Sequence, residues 1–127
     1  MKKVKVAKRG IQEADKIIGL RIRARRHEFG MSQEELGHKL GISFQQIQKY
    51  EKGTNRVTTG RLVQVCEALK CSVTDLAAGL SGRAAKITPE STFAASRDGV
   101  AIIRAMSMVE DVVVRRHIIH LVESLAA

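Results

Sequence analysis

Apolar residues recur at helical spacing along most of the chain, which predicts an all-α fold. Ile18, Ile22 and Phe29 form one stripe of a first helix, predicted over residues 14–28 and ended by Gly30. Serine and glycine positions divide the next segment into four further helices. The second helix is predicted to end at about residue 40, and the third to run from 44 to about 52. The fourth is predicted to begin at residue 59 or 60, and the fifth to run from 73 to 78.

Residues 81–97 are rich in Ser, Ala, Gly and Thr without periodicity, which predicts a mobile linker. Two more helices are predicted beyond it, over about 99–108 and 110–125. The second carries an apolar stripe that must pack somewhere, and a second copy of the chain is favoured over the chain's own core. The predicted organisation is a flexible basic arm (1–13), a helical domain (14–80), the linker (81–97) and a helical dimerisation tail (98–127).

The segment from residue 33 to residue 52 has the pattern of a helix-turn-helix. Two short helices that meet at a steep angle must bury an apolar wedge, and they need a small residue at their contact and a residue tolerant of positive φ between them. Gly37 and Gly41 meet the last two requirements. The apolar wedge is supplied by Leu36, Leu40, Ile42, Ile47 and Tyr50.

Charge points to a polyanionic partner. The chain of 127 residues has 22 Lys and Arg against 13 Asp and Glu, a formal net charge of +9, and most of the excess lies before residue 81. Nucleic acid and anionic membranes both attract such a chain. The basic arm lacks Trp, Phe and a wide apolar face, and no apolar run reaches the roughly 18 residues of a membrane span. We therefore expect nucleic acid as partner, no membrane, and a cytoplasmic location.

The sequence offers little for catalysis or for cofactor binding. Cys66 and Cys71 are too few for a disulfide framework or a four-ligand zinc site, although they leave redox sensing open as an alternative. His117, His120 and Glu123 have metal-compatible spacing, but a solvated helix face explains them better. Glycine loops that bind phosphate and recognisable nucleophile triads are absent from the sequence. We expect no enzyme, no metal, no cofactor and no identifiable small-molecule ligand.

Residues 18–80 contain the motifs GMSQEELGHKLGIS, QKYEKG and CEALKCSVTDL. With these motifs the segment resembles the five-helix DNA-binding domain of phage repressor and Cro proteins, the xenobiotic-response-element type of regulator. Short alphaproteobacterial regulators, including quorum-sensing repressors of rhizobia, are similar to this chain in two segments. These are SFQQIQKYEKGTNRV and the tail IIRAMSMVEDVVVRRHIIHLVESLA. The resemblance implies a five-helix lambda-repressor-like domain, followed by a linker and two C-terminal helices.

The resemblance also implies roles for individual residues. The third helix would enter the DNA major groove and present to the bases Phe44, Gln45, Gln46 and Lys49. Phosphate contacts would come from Gln33, Ser43, Lys52, Asn55 and Arg56. Arg26 and Glu51 match positions that form an internal ion pair in relatives.

We therefore expect a sequence-specific regulator of transcription that binds double-stranded DNA, a repressor acting as a homodimer on a palindromic operator. Two alternatives remain open at this point. One is an antitoxin-type DNA-binding protein whose C-terminal helices bind a partner protein. The other is a nonspecific nucleoid or RNA-binding protein attracted mainly by charge.

Overall fold

The computed structural model describes residues 2–80 and 86–127, with side chains described from residue 13 onward in the first helix. Within these ranges the chain forms eight helices and no strand, so the all-α prediction is confirmed. The helices are α1 (Lys2–Glu28), α2 (Gln33–Leu40), α3 (Phe44–Lys52), α4 (Thr59–Leu69), α5 (Val73–Ala77), α6 (Pro89–Ala95), α7 (Arg97–Ser107) and α8 (Val112–Ala126).

Helix α1 begins earlier than its apolar stripe predicts. The segment expected as a flexible arm over residues 1–13 is helical from Lys2 onward. This segment contains no proline and is rich in Lys, a strong helix former. Periodicity of apolar residues missed it because a helix with few apolar positions has no stripe to detect.

The first five helices enclose one core. Its fully buried side chains come from four of them, with Ile22 on α1, Leu36 on α2, Ile47 on α3, and Val65 and Leu69 on α4. The wedge predicted between α2 and α3 is confirmed, since Leu36, Ile47 and Tyr50 are buried while Leu40 and Ile42 pack against them partly buried.

The turn between α2 and α3 depends on two glycines. Gly41 has a φ of 69°, a conformation that side-chain-bearing residues rarely adopt. Gly37 is buried against the turn, where an added Cβ would lie 2.7 Å from the carbonyl oxygen of Ile42. Both requirements of the predicted helix-turn-helix are therefore met.

A second layer of helices packs on the opposite side of α1. Part of it comes from the segment that was predicted to be a mobile linker, so that prediction was wrong there. Helix α6 lies within residues 81–97, where Thr88 and Ser91 form a reciprocal capping box that the sequence reading overlooked. Helices α6 and α7 both pack on α1, where Ile17, Ala95 and Val100 are buried. The C-terminal half is therefore anchored to the first helix of its own chain.

Two surface features complete the fold. Phe29, expected on the buried stripe of α1, is 41% exposed, and the Arg25 guanidinium lies 4.9 Å from its ring centroid. The expectation of a buried Phe29 was wrong: Phe29 follows the last residue of α1, and its ring lies beside the Arg25 guanidinium at the surface. Helix α8 contains no buried residue, although much of it is apolar.

Candidate DNA-binding surface

Helix α3 has one face in the core and one face in solvent. Ser43 begins the helix, with its hydroxyl accepting a hydrogen bond from the backbone N–H of Gln46 at 3.2 Å. Gly53 ends it in a left-handed conformation with a φ of 72°. Because Ile47 and Tyr50 fix the buried face, the opposite face is presented as a rigid polar surface.

The residues predicted to contact bases share this outer face. Phe44, Gln45 and Lys49 are exposed, and Gln46 is half-buried. Within the described ranges, no side-chain hydrogen bond or ion pair engages the polar members of this set. Their amide and ammonium groups are therefore available to an outside partner.

The residues predicted to contact phosphate lie at helix ends and in the loop after α3. Gln33 and Ser43 stand at the starts of α2 and α3, whereas Lys52 and the exposed Asn55 and Arg56 follow from the end of α3. The Arg56 guanidinium lies 3.5 Å from an Asp15 carboxylate oxygen on α1, and its side chain stays 64% exposed.

A buried ion pair ties α3 to α1, as the resemblance implies. Arg26 Nε donates to Glu51 Oε2 at 2.7 Å and Arg26 Nη2 donates to Glu51 Oε1 at 2.9 Å. The remaining Nη1 donates to the Met31 carbonyl oxygen at 2.8 Å. Gln33 joins the cluster, because its Nε2 donates to Glu51 Oε1 at 3.1 Å. The start of α2 is therefore held in the same network as α3, the second helix of the helix-turn-helix.

Beside this network a cleft of about 790 Å³ opens between α1, α2, α3 and the start of α7. Gln33, Phe44 and Lys52 line it together with Arg23 and Arg97, among others.

His27 also lines this cleft, and its pKa is lowered. Burial is the largest cause, followed by the positive charges of Arg26 and Arg23, with a smaller contribution from Arg97, while Glu51 opposes them. Its Nε2 is buried without a hydrogen-bond partner in the described part of the chain. The imidazole is therefore held in its neutral form in a positively charged neighbourhood.

Two arginines of α1 have structural roles that the sequence did not reveal. Arg21 Nη1 donates to the carbonyl oxygens of Leu76 and Ala78 at 3.1 and 2.7 Å. Arg25 donates to those of Leu69 and Lys70 at 3.0 and 2.9 Å. Both cap carbonyls at the ends of α4 and α5, where no intrahelical donor remains. Spacing alone could not distinguish them from arginines that face a ligand.

The cysteine and histidine clusters show ordinary chemistry. Cys66 is buried and Cys71 partly exposed; burial first, and then the neighbouring Cys71, raise the pKa of the Cys66 thiol to about 11. His120 Nδ1 and Glu123 Oε2 lie 3.6 Å apart on the exposed surface of α8. Over the described ranges, no cluster of three metal-ligating side chains occurs, and no helix is long and apolar enough to span a membrane.

A five-helix core that carries a helix-turn-helix with a polar outer face defines the class of Cro/C1-type transcriptional regulators. Comparison with known proteins agrees, since the family model described as "Helix-turn-helix" matches residues 22–76. The chain is 43% identical to the HTH-type transcriptional regulator y4wC of Sinorhizobium fredii, over 89% of this chain and 87% of the relative. It is also 43% identical to the HTH-type transcriptional regulator R00410 of Rhizobium meliloti, over 87% and 86% of the two chains.

The chain therefore belongs to the family of alphaproteobacterial HTH-type transcriptional regulators. A relative from Rhodospirillum rubrum, a "transcriptional regulator in ATPase CF(0) region", is 46% identical over 48% of this chain and 56% of its own length. No solved structure matches the chain. The names of the relatives give the antitoxin-type alternative no support.

Proposed function

We propose that the protein is a repressor that reads a palindromic operator in double-stranded DNA as a homodimer, through the outer face of α3. The observation that carries this proposal is the rigid placement of that face. The core side chains fix its rotation about the helix axis, and the buried pair of Arg26 and Glu51 fixes the helix against α1. A reading surface must be preorganised in this way to discriminate between bases.

The side chains on this face have the chemistry of base recognition. Gln45 and Gln46 can bond adenine N6 and N7 in pairs, and Lys49 can reach guanine O6 and N7. Phe44, at 38% exposure, offers an apolar surface to a thymine methyl group. Residues around this face supply the backbone contacts, through Gln33, Ser43, Lys52, Asn55 and Arg56.

Selection of preferred duplexes from a random DNA library tests the specificity and the symmetry together. We expect two inverted half-sites whose centres are one helical turn apart, roughly 34 Å. Transcription in vitro from a promoter that contains the selected site tests the sign of regulation, and we expect it to fall when the protein is added. Failure to enrich any sequence would favour the charge-driven nonspecific binder instead.

The homodimer is proposed from the exposed apolar surface of the tail. Several large apolar side chains of α7, α8 and the turn between them stand more than 40% exposed: Ile102, Ile103, Met108, Val112, Val113, Val114, Ile119, Leu121, Val122 and Leu125. A folded protein rarely leaves so many large apolar side chains of two consecutive helices in water. An isologous contact between two tails would cover it and would place two recognition helices on one DNA site.

Sedimentation of two matched variants tests the dimer. Leu121→Glu puts a charge on the apolar stripe of α8, whereas His120→Glu puts the same charge on its polar side. We expect the parent and the His120 variant to sediment as dimers and the Leu121 variant as a monomer with weaker operator binding. A dimer mass for the Leu121 variant would place the interface elsewhere, and a monomeric parent would rule out the dimer.

The basic start of α1 is proposed to add nonspecific affinity for the DNA backbone. Residues 1–9 contain Lys2, Lys3, Lys5, Lys8 and Arg9. Their deletion should weaken binding to operator and to random duplex alike, and flatten the dependence of log affinity on log salt. An unchanged slope would show that this segment does not approach the phosphates.

A further inference from the structure

Two arginines without a hydrogen bond or ion pair to the described part of the chain line the same cleft beside the start of α2. Arg23 comes from α1 and Arg97 is the first residue of α7, and both line the cleft. Neither side chain makes a hydrogen bond or an ion pair with any residue that the structure describes. Other arginines around α1 are each fixed by carbonyl or carboxylate oxygens, namely Arg21, Arg25, Arg26 and Arg104.

The cleft opens on the surface assigned to DNA. Gln33 and Lys52, both proposed phosphate contacts, line it together with Phe44 of the reading face. A cation in this cleft is therefore next to the place where the DNA backbone passes the start of α2.

The charge of the cleft favours an anion. Among its lining residues, the carboxylate of Glu51 is already neutralised by Arg26. Arg23, Lys52 and Arg97 then stand against two carboxylates, which belong to Glu34 and Glu35. Like charges that share a cleft without internal partners repel each other, and a bound phosphate relieves that repulsion.

Helix α7 holds Arg97 on a rigid support. Gly99 packs so closely under the end of α6 that an added Cβ would collide with the backbone of Phe93 and Ala94. Val100 is buried one residue further along α7. The Arg104 guanidinium donates to the Glu28 carbonyl oxygen at 2.8 Å, which fixes α7 to the end of α1.

We propose that Arg23 and Arg97 together bind a backbone phosphate of the DNA, so that the C-terminal half of each chain touches DNA directly through α7. A planar guanidinium can bind phosphate oxygens through two parallel hydrogen bonds, and two of them from different helices define a specific position. This inference rests on the proposed function. It extends the DNA-binding surface beyond the helix-turn-helix domain of residues 22–76.

The test uses the full chain with Arg23→Gln and Arg97→Gln, and Arg116→Gln as the matched control. Arg116 is exposed on α8 and lies outside the cleft, so this variant loses the same charge elsewhere. Affinity is measured against salt concentration for the selected operator and for a duplex of scrambled sequence. Because both chains of the proposed dimer carry the substitution, we expect each cleft variant to lower the slope of log affinity against log salt by about 2 on both duplexes, which is about 1 for each chain. The control should keep the slope of the parent.

Two further measurements separate the outcomes. Arg97→Lys keeps the charge and should restore the slope, and thermal unfolding should be unchanged in all the variants. If both cleft variants keep the slope of the parent while the parent prefers operator over scrambled DNA, this inference is wrong and the proposed function stands. If the parent shows no preference, the proposed function fails, yet a lower slope for the cleft variants still supports the phosphate contact. Tight binding of inorganic phosphate with unchanged slopes would assign the cleft to a free anion and overturn the proposal.

Discussion

The Arg26 guanidinium and the Glu51 carboxylate face each other in the core at 2.7 and 2.9 Å, with side-chain exposures of 7% and 3%. They join α1 to α3 across 25 positions of sequence. Burying two charges is costly, and the geometry compensates because both carboxylate oxygens accept hydrogen bonds. Gln33 also donates to Glu51, so the same pair connects the start of α2 to α3.

Replacing Glu51 by Gln should strongly destabilise the fold. The substitution leaves the Arg26 charge buried without its counterion, which costs about 3 to 5 kcal/mol when one partner of a buried pair is removed. Urea unfolding measures the loss. Glu28→Gln is the matched control, since the pair of Arg25 and Glu28 is surface-exposed and its loss should cost at most about 1 kcal/mol. Equal stabilities for the two variants would contradict this account of the core.

Gly19 sets the distance between α1 and α3. A Cβ there would collide with the backbone carbonyl oxygens of Tyr50 and Glu51. Gly19→Ala should therefore separate the two helices and lower both the unfolding free energy and the operator affinity. Gly60→Ala in α4 is the control, because a Cβ there meets nothing within 4 Å. The control should be stabilised by roughly 0.4 to 1 kcal/mol, as expected for alanine in a helix. Thermal unfolding measures the stability of both variants relative to the parent, and a Gly19→Ala variant as stable as the parent would contradict the close contact.

The sequence predicts those parts of the fold that are determined by residues close together in the chain. The helix-turn-helix was predictable because Gly37 and Gly41 meet steric demands of a tight turn, and because Ser43 caps α3 through its own neighbours. The prediction of an Arg26 and Glu51 pair is confirmed, but it came from the resemblance, since two residues so far apart have no shared spacing.

Long-range packing explains what the sequence did not predict. The docking of α6 and α7 on α1 depends on Ile17 and Val100, which lie far apart in the chain. Neither position has a pattern of its own that identifies its partner. Arg97 lines the same cleft as Arg23 because this docking brings the start of α7 to α1. A site built from two distant segments becomes visible only in the folded chain.

Gln45 should determine base preference at one operator position. Its side chain is exposed on the outer face of α3, and an amide can bond adenine N6 and N7 together. Gln45→Ala should cost on the order of 1 to 3 kcal/mol there and leave the fold intact. Gln64→Ala on α4 is the control, because this exposed glutamine lies outside both the predicted reading face and the cleft. Binding to operators substituted at each position tests this, and an unaltered base preference for the Gln45 variant would refute the role.

His27 should make stability depend on pH below neutrality. Burial, Arg26 and Arg23 lower its pKa in the folded state, so the unfolded chain takes up a proton more readily. Stability due to neutral His27 is therefore fully present above the unfolded pKa of about 6.5, and is lost progressively as the pH falls from there through the lower pKa of the folded state. His27→Gln should reduce the change of the urea-unfolding midpoint with pH between about pH 7 and pH 5. His120→Gln, at an exposed histidine, serves as the control, and identical pH profiles for His27→Gln and the parent would contradict the effect.

Cys66 should be chemically inert in the folded protein. Its side chain is buried, and burial together with Cys71 raises its pKa to about 11, so only about one thiol in a thousand is ionised at pH 8. Iodoacetamide at that pH should modify the partly exposed Cys71 and spare Cys66 until urea unfolds the chain. Mass spectrometry of the parent and of Cys71→Ser follows both sites. Alkylation of Cys66 in the native Cys71→Ser variant at the rate seen in urea would revive redox sensing, because a thiol must be accessible and ionised to respond to an oxidant.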